Sequence, residues 1–285
     1  TIVKKALPFG TDTFGFTLTG GNEVNEQFNL VDNSATEDAS KTFSLKAGRY
    51  AVAENDYSSD WNTTHSCTDG KTIDNIVLNA GENVTCTFTN TKYGSISGYK
   101  YEDADNSDET TTDRTPVSGW TIILKDKDGV EIKRTTTNAS GYYEFTGLLP
   151  ADYIVTEGLQ VGWIVLIGAS KNVTLDAGEK EENVNFVNVK LGSIKVLKNV
   201  DKNGDGDLED SVDVIGSSEW NWTLNGTNAG ATGTTKSDLE PGTYTIKETG
   251  GLDNYHFVSL SCTGAADKRI TILDDTATID LKSGE

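Results

Sequence analysis

Several common features are scarce in this sequence of 285 residues. It has no methionine, only four prolines, and no run of about 18 apolar residues such as a membrane-spanning helix needs. Acidic residues outnumber basic ones 44 to 24, which gives a formal net charge of −20. Proteins that hold phosphates or dock on anionic lipid normally carry clustered Lys and Arg. We therefore expect no nucleic-acid partner and no membrane insertion. The missing initiator Met predicts processing or excision from a longer precursor.

Histidine is equally scarce, and this argues against catalysis. The two histidines, His65 and His256, are far apart in the sequence, so neither a His-based triad nor a zinc cage is expected. No phosphate-binding glycine loop follows a strand and opens a helix. Carboxylate pairs are abundant, but an acidic chain supplies them by chance. The sequence predicts a protein that is not an enzyme.

What the sequence does contain favours strands and turns. Apolar and polar residues alternate at 84–88 and 194–196, which is the period of a strand with one buried face. Turn residues separate such runs, as at Asp128-Gly129 and Pro241-Gly242. The pattern predicts an all-β protein made of β-sandwiches, each with about seven short strands in about 100 residues.

Internal repeats divide the chain into three modules. Gly-Ser-Ile occurs at 94–96 and again at 192–194. A second phrase, aromatic-x-aliphatic-x-Glu, begins at Tyr50, Tyr153 and Tyr244. The repeats predict module one at 1–93, module two at 94–190 and module three at 191–285. The joints are short and lack Gly/Ser-rich linker composition, so we expect the modules to form a stiff rod.

One segment of module two carries a family resemblance. Residues 138–148, Asn-Ala-Ser-Gly-Tyr-Tyr-Glu-Phe-Thr-Gly-Leu, followed by Pro150 and by 153–157, resemble the collagen-adhesin B-type repeat, also known as the serine-aspartate-adhesin B-type repeat. The likeness is good in module three and looser in module one, and Ala151 departs from the family's Gly. The resemblance implies a prealbumin-like (transthyretin-like) fold in each module. It also implies an extracellular structural role at a microbial cell surface.

The resemblance further implies a covalent crosslink. In many members a first-strand Lys joins a last-strand Asn or Asp through an isopeptide bond, and a buried acid shuttles the protons. Burial favours the neutral amine and the protonated carboxyl that this reaction needs. The alternative is that these charges lie in solvent at strand ends. The candidates are Lys4, Glu54 and Asn90 in module one, and Lys100, Glu157 and Asn188 in module two. Module three offers Lys198 and Glu248 but has Ser283 where Asn is expected, so no crosslink is expected there.

Three cysteines allow three pairings. Aligning the modules matches Cys67 with Cys262, each in a Ser-Cys-Thr phrase, and places Cys86 opposite Ile279. A disulfide between Cys67 and Cys86 is therefore expected, and an extracellular setting permits it. Cys262 is then either a buried free thiol or a link between chains.

An acidic loop near the start of module three predicts a calcium site. Oxygen-bearing side chains at alternate positions around a Gly suit Ca²⁺, which takes about six to eight oxygen ligands. The spacing is similar to an EF-hand loop, but Val212 stands where that loop has a bidentate Glu. The alternative is a solvated acidic turn. The candidate ligands are Asp201, Asn203, Asp205, Asp207, Glu209, Asp210 and Asp213. Module two has a degenerate counterpart at 102–109.

Six Asn-x-Ser/Thr sequons predict glycosylation on surface loops, if the host has the machinery. Chance occurrence is the alternative in a chain so rich in Thr. The sequons lie at Asn62, Asn83, Asn138, Asn172, Asn221 and Asn225.

The chain ends allow two interpretations. Module one starts inside a strand that its sister modules introduce with Gly-Ser-Ile, and module three stops short of the Asn-x-Lys phrase found at 90–92 and 188–190. Either three modules come from a longer surface protein, or chains join head to tail when one tail completes a neighbour's sheet edge.

Together these observations predict a non-catalytic extracellular structural protein. It is expected to be a building block of a microbial surface fibre, pilus-like filament or adhesin stalk, stiffened by Ca²⁺. Its partners are copies of itself or further modules. The alternative is a calcium-dependent adhesin module that binds a host protein or glycan. Near-equal module lengths, with no long insertion in one module, favour the structural role.

Overall fold

The computed structural model describes residues 1–201, 203–204, 214–215, 220–251, 255–263 and 269–285. Their regular structure is almost entirely β-strand, with two short 3₁₀ turns at Gly21–Glu23 and Thr68–Gly70. Within these ranges no helix has the length and apolar character needed to cross a membrane. The all-β architecture predicted from the alternating pattern is confirmed.

Module one is a sandwich of two four-stranded sheets. Its strands are β1 (Ile2–Leu7), β2 (Phe14–Gly20), β3 (Val24–Leu30), β4 (Ala39–Lys41), β5 (Gly48–Glu54), β6 (Trp61–Cys67), β7 (Ile76–Leu78) and β8 (Cys86–Lys92). The sheet orders are β4-β1-β8-β6 and β3-β2-β5-β7. Both sheets contribute to one hydrophobic core, in which the Phe16 ring contacts Phe28 and Phe88.

Module two repeats this plan. Its strands are β9 (Gly94–Glu102), β10 (Thr115–Pro116), β11 (Thr121–Asp126), β12 (Glu131–Thr136), β13 (Tyr142–Leu148), β14 (Ala151–Glu157), β15 (Trp163–Ile167), β16 (Ser170–Leu175), β17 (Lys180–Glu181) and β18 (Phe186–Lys190). One sheet has the order β10-β9-β18-β15, with β13 and β17 also paired to β9, and the other has the order β12-β11-β14-β16. Trp120, Val155 and Phe186 are buried between them.

Module three has less regular structure on one side. Its strands are β19 (Gly192–Lys195), β20 (Asn199–Val200), β21 (Val214–Ile215), β22 (Trp220–Leu224), β23 (Thr227–Ala231), β24 (Thr235–Leu239), β25 (Gly242–Gly250), β26 (Ile270–Leu273) and β27 (Thr276–Leu281). One sheet is complete, in the order β23-β22-β25-β27-β26. Among the described residues, the pair β19-β24 and the short pair β20-β21 form the remaining strands of this module.

The pairing of β27 corrects the alignment of module three. Leu281 lies opposite Gly242 of β25, as Leu175 of β16 lies opposite Ala151 of β14. β27 therefore corresponds to β16 and not to β18, and the alignment of Ile279 with Cys86 is wrong. All these strands alternate apolar and polar residues, so the pattern alone did not distinguish them.

The last strands β8 and β18 thus have no counterpart among the described residues of module three. In module one, β8 runs parallel to β1 and antiparallel to β6. In module two, β18 lies in the same way between β9 and β15. Residues 255–263, which follow β25 as β6 follows β5, form no strand.

The two joints between modules repeat one arrangement. The N–H of Gly178 in module two donates to the Lys92 carbonyl (3.0 Å), and the N–H of Gly284 in module three donates to the Lys190 carbonyl (3.0 Å). Both glycines have positive φ, 75° and 74°, in equivalent turns after β16 and β27. A left-handed position of this kind favours Gly.

Candidate functional site

Module one buries a Lys, a Glu and an Asn between its sheets. Lys4 on β1 and Asn90 on β8 are both 0% exposed. Alternation along β1 turns Lys4 inward with Ile2 and Ala6. The Lys4 Nζ lies 3.5 Å from Glu54 Oε1, which comes from the end of β5 in the opposite sheet. The three predicted residues of this module are therefore brought together.

Module two repeats the cluster with the equivalent strands. Lys100 Nζ lies 3.3 Å from Glu157 Oε2, and both side chains are 0% exposed. The Asn188 Nδ2 group donates to the same Glu157 oxygen at 3.1 Å. The alternative of solvated charges at strand ends does not describe modules one and two. The crosslink itself stays a prediction.

Burial shifts both partners toward the uncharged state. Desolvation lowers the pKa of Lys4 to about 8 and that of Lys100 to about 8, although the neighbouring glutamates oppose the change. Desolvation also raises the pKa of Glu54 and of Glu157. A neutral amine beside a protonated carboxyl is the state from which a Lys can attack an Asn side chain.

In module three the equivalent pair is more open. Lys198 Nζ lies 2.9 Å from Glu248 Oε1, and the two side chains are 18% and 20% exposed. Among the residues that the structure describes, no Asn joins this pair. Ser283 lies instead at the joint, where its hydroxyl donates to Glu102 Oε1 at 2.6 Å.

An aromatic ring beside each Lys was missed by the sequence analysis. The Nζ atoms lie 4.0 Å, 4.7 Å and 4.2 Å from the ring centroids of Phe14, Trp120 and Trp220 respectively. Each ring comes just before or at the start of the second long strand of its module. This recurring position in the sequence could have predicted the contact. The rings fill the space around the amine and limit its access to water.

The cysteines behave differently in modules one and three. A disulfide joins Cys67 on β6 to Cys86 on β8, which are opposite each other in the antiparallel register. Cys262 is a free thiol, and desolvation raises its pKa. It lies in the strandless segment 255–263, at the edge of the module-three core.

The predicted calcium loop of module three lies largely outside the described residues. Asp205, Asp207, Glu209, Asp210 and Asp213 are outside, and only Asp201 and Asn203 are described. The Asp201 carboxylate accepts the Gly204 N–H at 2.6 Å, which is a local turn contact. No ligand set can be assembled from these two residues.

An acidic cluster is instead described in module two. Carboxylate oxygens of Asp103, Asp105 and Asp113 lie within 4.8 Å of one another. Desolvation, together with the charge of Asp113, raises the pKa of Asp105. Asp103 is fully buried, and the Arg114 guanidinium lies 3.2 Å from it. The first two residues belong to the degenerate loop noted in the sequence at 102–109, whereas Asp113 lies four residues beyond that loop and was missed.

The donor set of this cluster suits a hard cation. Three carboxylates meet beside the second joint, where the Ala104 carbonyl also accepts the Ser283 N–H. Ca²⁺ needs about six to eight oxygens, so peptide carbonyls or water must complete the shell. Arg114 competes for Asp103, and a bound cation has to displace or share that contact.

Four of the six sequon asparagines are exposed, and Asn62 and Asn221 are half-buried. The Asn138 side chain accepts three hydrogen bonds, from the N–H and hydroxyl of Ser140 and the N–H of Tyr142. It therefore shapes the turn before β13, whether or not it carries a glycan.

Comparison with known protein families assigns all three modules. Residues 94–205 match the SdrD B-like domain, and residues 1–92 and 190–280 each match a prealbumin-like fold domain. The class is therefore a tandem of prealbumin-like β-sandwiches. More specifically, the family matches are consistent with B-type repeat modules, as the resemblance predicted.

Two curated relatives share the sequence at moderate identity. Serine-aspartate repeat-containing protein C of Staphylococcus aureus is 27% identical over 149 residues, which is 52% of this chain and 14% of the relative. Serine-aspartate repeat-containing protein F of Staphylococcus epidermidis is 29% identical over 170 residues, 58% of this chain and 9% of the relative. The chain thus spans a small part of the relatives that it matches.

The solved structures to which the chain is similar include a streptococcal ancillary pilin and a protein of Bacillus anthracis. A streptococcal ancillary pilin has a TM-score of 0.33 at 13% identity, with 96% of this chain and 97% of that chain covered. The Bacillus anthracis TIE protein has a TM-score of 0.32 at 15% identity, with 99% and 48% covered. Scores this low carry no argument about function.

Proposed function

We propose that the chain is a non-catalytic building block of an extracellular fibre, pilus-like filament or adhesin stalk on a microbial cell surface. The observation that carries this proposal is the repeated joint, in which equivalent glycine turns bind the carbonyls of Lys92 and Lys190. Because this main-chain hydrogen bond recurs, each module contacts the preceding module through the same turn. We accordingly place the module boundaries at 93/94 and 190/191. Reach and stiffness are then the function.

Modules one and two are proposed to carry isopeptide bonds. The Lys Nζ attacks Cγ of Asn90 or Asn188, the Cγ–Nδ2 bond breaks, and ammonia leaves. The protonated Glu gives its proton to the departing Nδ2 and takes one from the attacking amine, so ammonia leaves and the carboxyl is protonated again. Burial of all three side chains supports this chemistry because it favours neutral reactants. The bond ties the first strand of each sandwich to the last, so pulling along the chain cannot separate these two strands.

Intact mass spectrometry of the full chain tests the bonds. Each bond removes the mass of one ammonia molecule. The full chain is therefore expected to weigh two ammonia masses less than its sequence predicts. Glu54→Ala and Glu157→Ala should each prevent one bond and so restore the mass of one ammonia molecule. Glu248→Ala in module three is the matched control, and it should change the mass only by the substitution itself. A chain that keeps the mass of both ammonia molecules would contradict this part of the proposal.

The acidic cluster of module two is proposed to hold structural Ca²⁺. A divalent cation would neutralise the repulsion among Asp103, Asp105 and Asp113. The Ser283 N–H donates to the Ala104 carbonyl, which lies between Asp103 and Asp105 in sequence. A cation that fixes this loop therefore also restrains the second joint. The cation therefore stiffens the connection between modules two and three.

Electron microscopy of the purified chain, with calcium and after chelation, tests the overall role. Extended particles of three modules, or filaments built from them, are the expected result. Compact particles with the modules folded against one another would overturn it. Saturable, calcium-dependent binding on glycan or matrix-protein arrays would instead favour the adhesin function.

A further inference from the structure

The last strand of module one carries little information about its own register. Along β8 the outward positions are Thr87, Thr89 and Thr91, all half-buried. A slip of two residues would exchange one Thr for another on this face, because side chains on a strand repeat with a period of two. Residues 62–66 of the neighbouring strand β6 are polar throughout. Pairing between polar strands specifies the register weakly.

The crosslink proposed for module one requires one particular register of β8. In the observed register Phe88 lies opposite Lys4 of β1, and Asn90 lies opposite Ala6. Both Lys4 and Asn90 are then 0% exposed in the core. A strand rises about 3.3 Å per residue, so a two-residue slip would move Asn90 by about 7 Å. The Asn90 amide would then lie beyond the reach of the Lys4 amine.

The disulfide of module one selects this register. Cys86 lies four residues before Asn90 on the same face of β8, and it is directly opposite Cys67 of β6. The Cα atoms of the two cysteines are 4.0 Å apart. A two-residue slip would separate them beyond about 7 Å, the longest Cα distance that a disulfide spans without backbone movement. Once the S–S bond has formed, β8 is therefore held in the register that brings Asn90 to Lys4.

Module two holds its last strand by packing instead of by a disulfide. The outward valines of β18, Val187 and Val189, are 2% and 0% exposed. Just before this strand, the Val184 N–H donates to the Ser97 carbonyl at 3.0 Å, and the Val184 carbonyl accepts the Tyr143 hydroxyl. A slip of β18 would break these buried contacts. Module two contains no cysteine, and its packing sets the register without one.

We propose that the Cys67–Cys86 disulfide positions β8 for the crosslink of module one, so that this bond forms only after the two cysteines have been oxidised. The inference rests on the isopeptide bonds proposed above and assigns the order in which they form. Module two crosslinks in any redox state. Module one stays uncrosslinked in a reducing compartment, and its Lys4–Asn90 bond follows the disulfide in an oxidising one.

Stepwise oxidation of the full chain, followed by intact mass spectrometry, tests this order. The Cys262→Ser chain is produced and purified under reducing conditions, so that only Cys67 and Cys86 can react. Oxidised glutathione is then added. The two cysteines give up two electrons and two protons as their S–S bond forms, and one oxidised glutathione becomes two reduced molecules. Samples taken over time are weighed, and protease digestion assigns each lost ammonia to its module.

The reduced chain should be lighter than its sequence by one ammonia, that of module two. After oxidation it should lose two hydrogens first and then the ammonia of module one. Misplacement of reacting groups by even about 1 Å slows a reaction up to about 100-fold, so the second ammonia should leave the reduced chain at least about tenfold more slowly.

Three results of this experiment are decisive. A reduced chain that already lacks both ammonia molecules would overturn the inference, and so would an oxidised chain that keeps the ammonia of module one. In both cases the bond of module two would still stand. Retention of ammonia by both modules would instead overturn the proposed crosslinks themselves, and this inference with them.

A displaced disulfide is the matched control for register. His65 lies opposite Phe88, so His65→Cys combined with Cys67→Ser moves the cysteine of β6 by two residues. Molecules of this variant that have lost two hydrogens hold Asn90 about 7 Å from its native position, and they should keep the ammonia of module one. Its loss at the native rate would overturn the inference.

Hydrogen exchange on the reduced chain separates register from folding. β2 and β5 belong to the sheet of module one that does not contain the disulfide. Their amides should stay protected in the reduced chain, because the module folds and only the register of β8 is left open. Loss of protection throughout β2 and β5 would mean that the disulfide is needed for folding as a whole, and it would overturn the positioning role.

Discussion

Among the described residues, modules one and two differ from module three in the strands that lie beside the Lys–Glu pair. In the first two, the last strand covers the Lys–Glu pair, and both Lys side chains are 0% exposed. In module three no described strand takes this place, and the equivalent Lys198 and Glu248 remain 18% and 20% exposed. The same residue types on the same fold are therefore a buried reactive cluster in one setting and a partly solvated ion pair in the other. The last strand makes that difference, because it desolvates the cluster and also supplies the Asn.

The largest expected effect comes from removing the buried acid. Glu157→Ala removes the acid that the proposed crosslink needs and leaves Lys100 in the core as an unbonded amine without its partner, so the free energy of unfolding of module two should fall by about 3–5 kcal/mol. Glu248→Ala, on the more open pair, should cost module three no more than about 1 kcal/mol. Calorimetry of the full chain, in which each module contributes its own transition, checks both. Equal losses in the two modules would remove the distinction between them.

The disulfide gives the next largest effect. Breaking Cys67–Cys86 with Cys86→Ser removes a crosslink between residues 19 positions apart, which typically contributes about 3 kcal/mol. Cys262→Ser removes no crosslink and should leave the transition of module three within about 0.5 kcal/mol of its original stability. The same calorimetric scan measures both variants. A large loss from Cys262→Ser would indicate a partner for this thiol that the comparison between modules does not include.

Calcium should stabilise module two by a somewhat smaller amount. A ligand at about 100 times its dissociation constant adds about 2.7 kcal/mol to the native state. Asp113→Asn should abolish the calcium-dependent rise in the melting temperature, whereas Asp128→Asn, at an exposed turn of the same module, should preserve it. An unchanged midpoint at saturating calcium would exclude this site.

The smallest effect is expected at the second joint. Ser283→Ala removes the hydroxyl that accepts the Lys190 N–H at 2.7 Å and donates to Glu102. Loss of about 1 kcal/mol should raise the hydrogen-exchange rate of the Lys190 amide about fivefold. Ser237→Ala, whose exposed hydroxyl contacts only its neighbour Asp238 among the residues that the structure describes, serves as control. An unaltered rate at Lys190 would mean that the joint does not depend on this side chain.

The family resemblance implied the grouping of Lys4, Glu54 and Asn90, whereas alternation and repeats were sufficient to predict the sandwich class. They were sufficient because burial in a strand follows directly from its period of two. The same period made β27 indistinguishable from a last strand until its pairing with β25 was known. Asp113 was missed because it lies outside the alternating acidic spacing of 102–109, although it belongs to the same connection between β9 and β10 as Asp103 and Asp105.

Hydrogen exchange measured by mass spectrometry on the full chain tests the difference between the modules most directly. The account predicts strong protection of 1–7 and 61–67 in module one and of 94–102 and 163–167 in module two, where a last strand pairs on both sides. It predicts fast exchange at residues 255–263 of module three, which form no strand. Equal protection of all three modules in the chain alone would contradict it.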